Sequence, residues 1–204
     1  MTQKARIEAA QSGVLLNTDA VDNSAGVDCS DHEVNIKILL DKAQKAGKLK
    51  TAARNKMLTD MTDDVAELVL ESNIRQSQLI SFECNLRAKA SADAHAHMMR
   101  LFEKQGLLDR KVEFLPDEEE MQARINDGNG LTRPELSVLM AYSKMDIYNK
   151  LVNSDLPNED GLESYLMGYF PSLLQEKMPK EIKNHPLRGE IITTVLTNEM
   201  INRM

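Results

Sequence analysis

From residue 31 onward, apolar residues recur every three or four positions, the spacing of one face of an α-helix. Helix signals punctuate the pattern: two aspartates follow Thr62, Thr132-Arg-Pro-Glu135 forms a capping box, and Gly47 ends an apolar stripe. We therefore expect residues 31–204 to form an all-α domain, with a turn-rich internal break at residues 126–131.

The longest of these apolar stripes starts at Thr62 and continues towards Gly106, with a break expected near Ser91. Its length is compatible with a coiled coil, which requires apolar residues at sustained heptad positions. Polar residues interrupt that heptad pattern at Gln76, Asn85 and Lys89. The interruptions favour ordinary packing inside a helical domain over a coiled coil.

The first thirty residues have a different pattern. Thr2 to Gln11 predicts a short helix that Thr2 caps and Gly13 ends. Val14-Leu15-Leu16 is then a short apolar run of the kind that is buried in a parallel sheet. Helix, strand, polar loop and helix in this order are typical of the last unit of a dinucleotide-binding, Rossmann-like domain. We expect residues 1–30 to be the terminal piece of such a catalytic domain, preceding a mainly α chain.

The polar stretch from Asn17 to Glu33 is rich in acids and follows this predicted strand directly. Ser30 and Glu33 have the spacing of a capping box, which predicts a helix that begins at Asp31. Free backbone N–H groups at such a helix start also suit an anionic ligand. Ser30 is therefore either a helix cap or a ligand-binding residue, and the residue pattern leaves both open.

The segment Asn23-Ser-Ala-Gly-Val-Asp-Cys-Ser-Asp-His-Glu33 resembles the Asn-Ala-Gly-Gly-Val-x-x-Ser-x-x-Glu motif of glutamate dehydrogenases. The longer run from Asn17 to Leu40 is similar to the large bacterial NAD-specific members of that family. Ala25 stands where smaller members have the first glycine of the pair. Asp28, Asp31 and His32 stand where less polar residues are usual, and the sequence assigns them no role.

The resemblance implies that the complete enzyme oxidatively deaminates L-glutamate to 2-oxoglutarate and ammonia with NAD. In this family the motif's asparagine lies against the nicotinamide and its serine helps to hold the side-chain carboxylate of the substrate. Carried over, Asn23 and Gly26 bind the cofactor and Ser30 binds the substrate. Gly26 has no side chain to obstruct a ligand, or adopts a positive φ.

The resemblance also implies that the substrate-activating lysine and the proton-exchanging aspartate lie upstream, so this chain is expected to be a carboxyl-terminal fragment without catalytic residues. No Gly-x-Gly-x-x-Gly fingerprint is present, and Asp127-Gly-Asn-Gly130 lies between helical segments, so it is expected to be a turn. The fragment alone is predicted to be inactive. Its expected partners are the rest of the parent polypeptide and further copies in a homo-oligomer.

Charge and composition exclude several other classes of protein. The net charge is −7, which argues against a nucleic-acid surface. No apolar run approaches the roughly 20 residues that a membrane span needs. Cys29 and Cys84 have no metal-binding or disulfide spacing, which is typical of a cytoplasmic protein.

One alternative hypothesis stays open, and two possible metal sites are disfavoured. The chain could be a helical interaction or oligomerisation module with no ligand site of its own. A cluster of aspartates could bind a metal, although its spacing does not match a calcium loop, and we predict no metal site; its members are Asp19, Asp22, Asp28 and Asp31. His95 and His97 point about 200° apart on a helix, so we expect both on a solvated surface rather than on a shared metal.

Overall fold

The structure is a computed structural model that describes residues 1–85 and 88–202, without the side chains of residues 88 and 89. These residues form thirteen α-helices, one 3₁₀ turn at Leu156–Asn158, and no strand. The helices are α1 Gln3–Gln11, α2 Asp19–Asp22, α3 Ser24–Lys45, α4 Thr51–Asp60, α5 Thr62–Asn85, α6 Ala88–Lys104, α7 Arg110–Glu113, α8 Glu118–Asn126, α9 Arg133–Val152, α10 Glu163–Tyr169, α11 Ser172–Lys177, α12 Pro179–Lys183 and α13 Arg188–Asn202. The prediction of a mainly α chain is confirmed.

Most helix starts lie where the local signals predict them. The Thr2 hydroxyl accepts the Ala5 N–H at 3.3 Å at the start of α1. One half of the capping box before α9 is formed, because the Glu135 carboxylate accepts the Thr132 N–H at 2.7 Å. Gly13 and Gly47 follow the ends of α1 and α3 with φ of 90° and 71°, a conformation that a glycine adopts without strain.

The sequence predicts a break near Ser91, whereas in the described residues α5 ends at Asn85 and α6 begins at Ala88. Residues 86–87 and 203–204 lie outside the described residues. The Lys89 side chain, one of the predicted heptad interruptions, does so too.

The chain divides into two compact units. Unit 1 comprises residues 1–23 and 75–145, and unit 2 comprises Ser24–Ile74 and Asp146–Asn202. The predicted domain boundary between residues 30 and 31 falls inside the continuous helix α3.

Unit 1 contains a buried ion pair. Glu135, whose side chain is 0% exposed, accepts hydrogen bonds at 3.1 and 2.8 Å from Arg124, which in turn also binds Glu120 at 2.6 Å. Since Glu135 also accepts the Thr132 N–H and hydroxyl, each carboxylate oxygen has a donor and the cost of burial is offset. This arrangement fixes the amino end of α9 against α8.

The predicted strand at Val14-Leu15-Leu16 is not formed in the described residues. These residues are irregular, and the side chains of Val14 and Leu15 are 52% and 81% exposed. A strand needs a neighbour that accepts and donates its backbone hydrogen bonds, and the described part of the chain contains no second strand. The apolar segment is therefore left uncovered.

Unit 2 has a continuous aliphatic and aromatic core. Helix α3 contributes Ile36, Leu39, Leu40 and Ala43, and α10 to α13 cover them. The apolar side expected at Val34, Ile38 and Ala46 is not the buried one, since Val34 and Ala46 are exposed. The buried members are Ile36, Leu39, Leu40, Ala43, Met57, Met61, Leu166, Tyr169, Phe170, Leu174, Met178, Ile182, Ile191 and Ile192. Residues near both ends of this unit's sequence thus share one core, so its formation requires long-range contacts.

Candidate functional site

The stretch predicted as a polar loop, Asn17 to Glu33, is mostly helical. Helix α2 occupies Asp19–Asp22, and α3 starts at Ser24. The capping-box prediction for Ser30 and Glu33 is therefore wrong, because Ser30 lies in the second turn of α3. Its hydroxyl donates to the Gly26 carbonyl at 3.2 Å, a bond that serine commonly makes four residues back inside a helix.

This change moves the amino end of the helix to Ser24. The first four N–H groups of a helix lack an intrahelical acceptor, so in α3 they belong to residues 24–27 rather than to residues after Ser30. Gly26 is helical and does not have the positive φ that the sequence allowed for it. An anion at Ser30 would be held by the side-chain hydroxyl and not by the helix end.

Thr18 is the residue that caps a helix in this stretch. Its hydroxyl accepts the Val21 N–H at 3.4 Å at the start of α2. Arg6 holds the same short helix, since it donates to the Asn17 carbonyl at 2.8 Å and to Asp22 at 2.9 Å, and forms an ion pair with Asp19. Two of the four aspartates considered as metal ligands are thus paired with an arginine.

Asn23 ends α2 as its C-cap residue, with φ −104° and ψ 9°. Its side chain is exposed and makes no hydrogen bond to any of the described residues. An exposed carboxamide keeps both its donor and its acceptor available, which is the requirement for pairing with another amide.

The exposed face of α3 mixes one hydroxyl with apolar side chains. Ser30 is exposed, and Val27 and Val34 on the same face are 67% and 53% exposed. Residues three, four and seven apart share a helix face, so the two valines flank the Ser30 hydroxyl. This face can accept a ligand that has both a polar group and a methylene chain.

The adjacent face of α3 is buried in a polar cluster. The Tyr169 hydroxyl donates to Asp31 Oδ2 at 2.7 Å and accepts from Asn35 Nδ2 at 2.9 Å. The Tyr169 ring stacks on the His32 imidazole with centroids 4.2 Å apart and planes 17° apart. Burial, followed by the hydrogen bond to Asp31, raises the pKa of Tyr169 well above its ordinary range, so the phenol is neutral.

His185 extends this cluster with a defined proton position. Its Nδ1 accepts the Leu187 N–H at 3.1 Å, so the neutral ring carries its proton on Nε2, which faces the Asn35 carbonyl at 3.1 Å. Burial lowers the pKa of His185 and also that of His32, whose Nε2 lies 3.8 Å from Asp28 Oδ1. Both rings are therefore neutral at physiological pH.

Sequence reasoning missed this cluster. Tyr169 and Asn35 are 134 residues apart, and no local pattern connects them. The one available signal is a polar residue, Asn35, beside the apolar stripe of α3. A buried amide must find a hydrogen-bond partner, so that position indicates a contact with a distant polar side chain.

The two histidines of α6 differ from each other. His97 is exposed, as predicted. The prediction for His95 is wrong, because its side chain is only 12% exposed and its Nε2 lies 3.4 Å from a carboxylate oxygen of Glu83. The Glu83 carboxylate beside the His95 imidazole offsets the cost of burying this polar ring.

Among residues 1–85 and 88–202, no group of three histidine, cysteine, aspartate or glutamate side chains is placed to hold a metal ion. None of the helices in that part of the chain is both long enough and apolar enough to cross a membrane.

Two family models match the chain. "Bacterial NAD-glutamate dehydrogenase, catalytic domain" matches residues 1–83, and "Glutamate dehydrogenase, C-terminal" matches residues 128–204. The first match includes the segment from Asn23 to Ser30 and extends well beyond the boundary predicted at residue 30.

Three curated relatives, each named NAD-specific glutamate dehydrogenase, are similar over essentially the whole chain. The protein from Pseudomonas aeruginosa PAO1 is 45% identical over 100% of this chain, and that from Halomonas elongata is 41% identical over 100%. The Mycobacterium tuberculosis H37Rv protein is 43% identical over 99%. The chain spans only 12 to 13% of the length of these relatives.

Proposed function

The chain belongs to the NAD-specific glutamate dehydrogenase family, and on that premise we propose that it is part of an enzyme that oxidatively deaminates L-glutamate to 2-oxoglutarate and ammonia. NAD, when bound, supplies the acceptor for the hydride that leaves the substrate's α-carbon. The observation that carries the proposal is the match of the catalytic-domain model across Asn23, Gly26 and Ser30.

We propose that Asn23 binds the nicotinamide end of the cofactor. Its carboxamide is exposed and without a hydrogen bond among the described residues, and it is complementary to the nicotinamide carboxamide. Gly26 follows three residues later on the exposed side of α3, where the absence of a side chain leaves room for a ligand.

We propose that Ser30 holds the side-chain carboxylate of glutamate. Its hydroxyl rotates from the Gly26 carbonyl to donate to the anion, and Val27 and Val34 flank the methylene groups of the substrate. A hydrogen bond to a charged group contributes ~1.5–3 kcal/mol, enough to affect substrate affinity measurably. The carboxylate replaces a carbonyl as the acceptor, so no donor is left unpaired.

The Rossmann-like unit belongs to this proposal as well. In the complete enzyme, Val14-Leu15-Leu16 becomes the last strand of the nucleotide-binding sheet, which covers the apolar side chains that are exposed here. The partners are the rest of the polypeptide and further copies of it. We place the enzyme in the cytoplasm, consistent with two free thiols at Cys29 and Cys84. The isolated chain is inactive, because the remaining walls of the pocket belong to other residues.

The test uses a complete enzyme that contains this segment. Ser30→Ala should raise KM for glutamate by roughly tenfold or more, with little change in KM for NAD. Asn23→Ala should instead raise KM for NAD, with little change in KM for glutamate. The matched control is Ser12→Ala, which removes an exposed hydroxyl that also donates to a carbonyl four residues back, at 3.1 Å.

If Ser30→Ala and Asn23→Ala both leave KM for glutamate and KM for NAD unchanged, the alternative holds, in which the chain is a helical interaction module. A loss of kcat that is equal in Ser30→Ala and Ser12→Ala would indicate general destabilisation and would contradict the substrate role.

A further inference from the structure

Tyr169, at the end of α10, contacts α3 directly beside its candidate substrate face. It is 6% exposed, and both functions of its hydroxyl are used, one as donor to Asp31 and one as acceptor from Asn35. Its ring covers His32. One side chain therefore contacts three residues of α3 that span just over one turn.

These three contacts fix α3 in two ways. The hydrogen bonds at residues 31 and 35 are four positions apart, so they oppose sliding along the helix axis. The ring stack at His32 lies beside them and opposes rotation about that axis. Ser30 immediately precedes this contact region, so any rotation or shift of α3 moves its hydroxyl by a similar amount.

The Asn35 side of the cluster is buried, whereas Asp31 is exposed. His32 and Asn35 are 5% and 4% exposed, and His185 adds a second buried contact at the Asn35 carbonyl. In a low-dielectric interior, a hydrogen-bonding group that loses its partner cannot turn to water instead. Removing the Tyr169 hydroxyl takes from Asn35 Nδ2 its shortest hydrogen bond, at 2.9 Å, and leaves it only contacts to Asp31 oxygens at 3.2 and 3.4 Å within the same helix. The polar connection between α3 and α10 at this point is then lost.

We propose that Tyr169 is a positioning residue for glutamate binding: through Asp31, His32 and Asn35 it holds α3 in the orientation that presents Ser30 to the substrate. The proposal rests on the proposed function of Ser30. Tyr169 is not a catalytic residue, because it touches α3 and not the exposed face. Small errors of position are costly in binding sites, since a hydrogen bond weakens steeply with distance and angle.

The experiment measures steady-state kinetics of the complete enzyme with Tyr169→Phe, which keeps the ring and removes the hydroxyl. We expect KM for glutamate to rise by roughly three- to tenfold, as for loss of one well-aligned hydrogen bond, while KM for NAD changes little. Asn35→Leu removes the other partner of the hydroxyl and should change the same constant in the same direction.

The matched control is Tyr142→Phe. That hydroxyl also donates to a carboxylate, Glu113, at 2.7 Å, but it lies in unit 1. If Tyr169 had only a structural role, both Tyr→Phe variants would lower melting temperature or active fraction without a selective change in KM for glutamate, and that result would overturn the proposal.

Ser30→Ala, measured in parallel, distinguishes failure of the positioning proposal from failure of the proposed function. A higher KM for glutamate in Ser30→Ala but not in Tyr169→Phe or Asn35→Leu would reject positioning by Tyr169 and leave the proposed function intact. No change in Ser30→Ala would reject both the substrate role of Ser30 and the positioning proposal that depends on it.

Discussion

The Arg124 guanidinium lies 2.8 Å from a carboxylate oxygen of Glu135 that is completely shielded from solvent. Arg124→Met would leave that carboxylate buried without its cation. We expect a loss of ~3–5 kcal/mol in the free energy of unfolding, which is the usual cost of breaking a buried pair from one side. Urea titration of the purified chain measures it.

Arg100→Met provides the matched control, since the Arg100–Glu118 pair has side chains that are 47% and 59% exposed. Its loss should cost less than ~1 kcal/mol. Equal losses in the two variants would mean that the Glu135 carboxylate is solvated.

Ser30→Ala distinguishes a serine inside a helix from a serine that caps one. Since Ser30 lies within α3, alanine should leave the stability of the isolated chain unchanged or raise it by up to ~0.5 kcal/mol. Asp117→Ala removes a real cap, in which the carboxylate accepts the Glu120 N–H at 2.9 Å. That change should cost ~1 kcal/mol. Thermal melts of both variants measure the two changes in stability. A loss of stability in Ser30→Ala as large as that in Asp117→Ala would mean that Ser30 does cap a helix.

His185 predicts a pH dependence of stability. Burial lowers its pKa in the folded chain below the ordinary 6.5, so the unfolded chain binds the proton at a higher pH. The stabilisation is complete above the unfolded-state pKa and is lost as the pH falls towards the folded-state value. His32 contributes with the same sign.

The measurement is the free energy of unfolding from about pH 7.5 to about pH 5.5, and one proton can change it by at most ~1.4 kcal/mol per pH unit. His185→Gln should flatten this slope. A slope in His185→Gln as steep as in the parent chain would contradict the assignment.

Leu15→Ser tests the proposed strand. Because Leu15 is 81% exposed in this chain, its replacement should leave the chain's melting temperature unchanged within about a degree. In a complete enzyme the same change should lower stability by ~2 kcal/mol or more, since the side chain would be buried in the sheet. Leu40→Ala, at a position that is 0% exposed here, should destabilise both proteins. Equal tolerance of Leu15→Ser in both would argue against the strand.

Two capping-box patterns in this chain show what sequence can and cannot predict. Thr132 to Glu135 marks a true helix start, because Gly128 at φ 78° follows the end of the preceding helix and Pro134 suits a first turn. Ser30 to Glu33 has the same spacing, but no residue after Ser24 stops the helix upstream. The Ser30 signal fails because the chain before it is already helical.

The remaining differences concern distant partners. The Val14–Leu16 prediction depends on a sheet that the described chain does not contain, and His95 is covered by a carboxylate twelve residues upstream on another helix. Tyr169 and Asp31 share a hydrogen bond across 138 residues. Composition and periodicity describe the helices, but they do not specify which polar groups meet in the folded state.

The separation between Asp31 and Tyr169 also sets an order of events during biosynthesis. At ~5–20 residues per second, the 138 residues between them take roughly 7–30 seconds to translate. For most of that interval the residues of α3 have been synthesised, but Tyr169 and the later helices that cover the apolar side of α3 have not. The orientation of the helix that carries Ser30 is therefore fixed only late in synthesis, and a chain truncated before Tyr169 would have α3 without this contact.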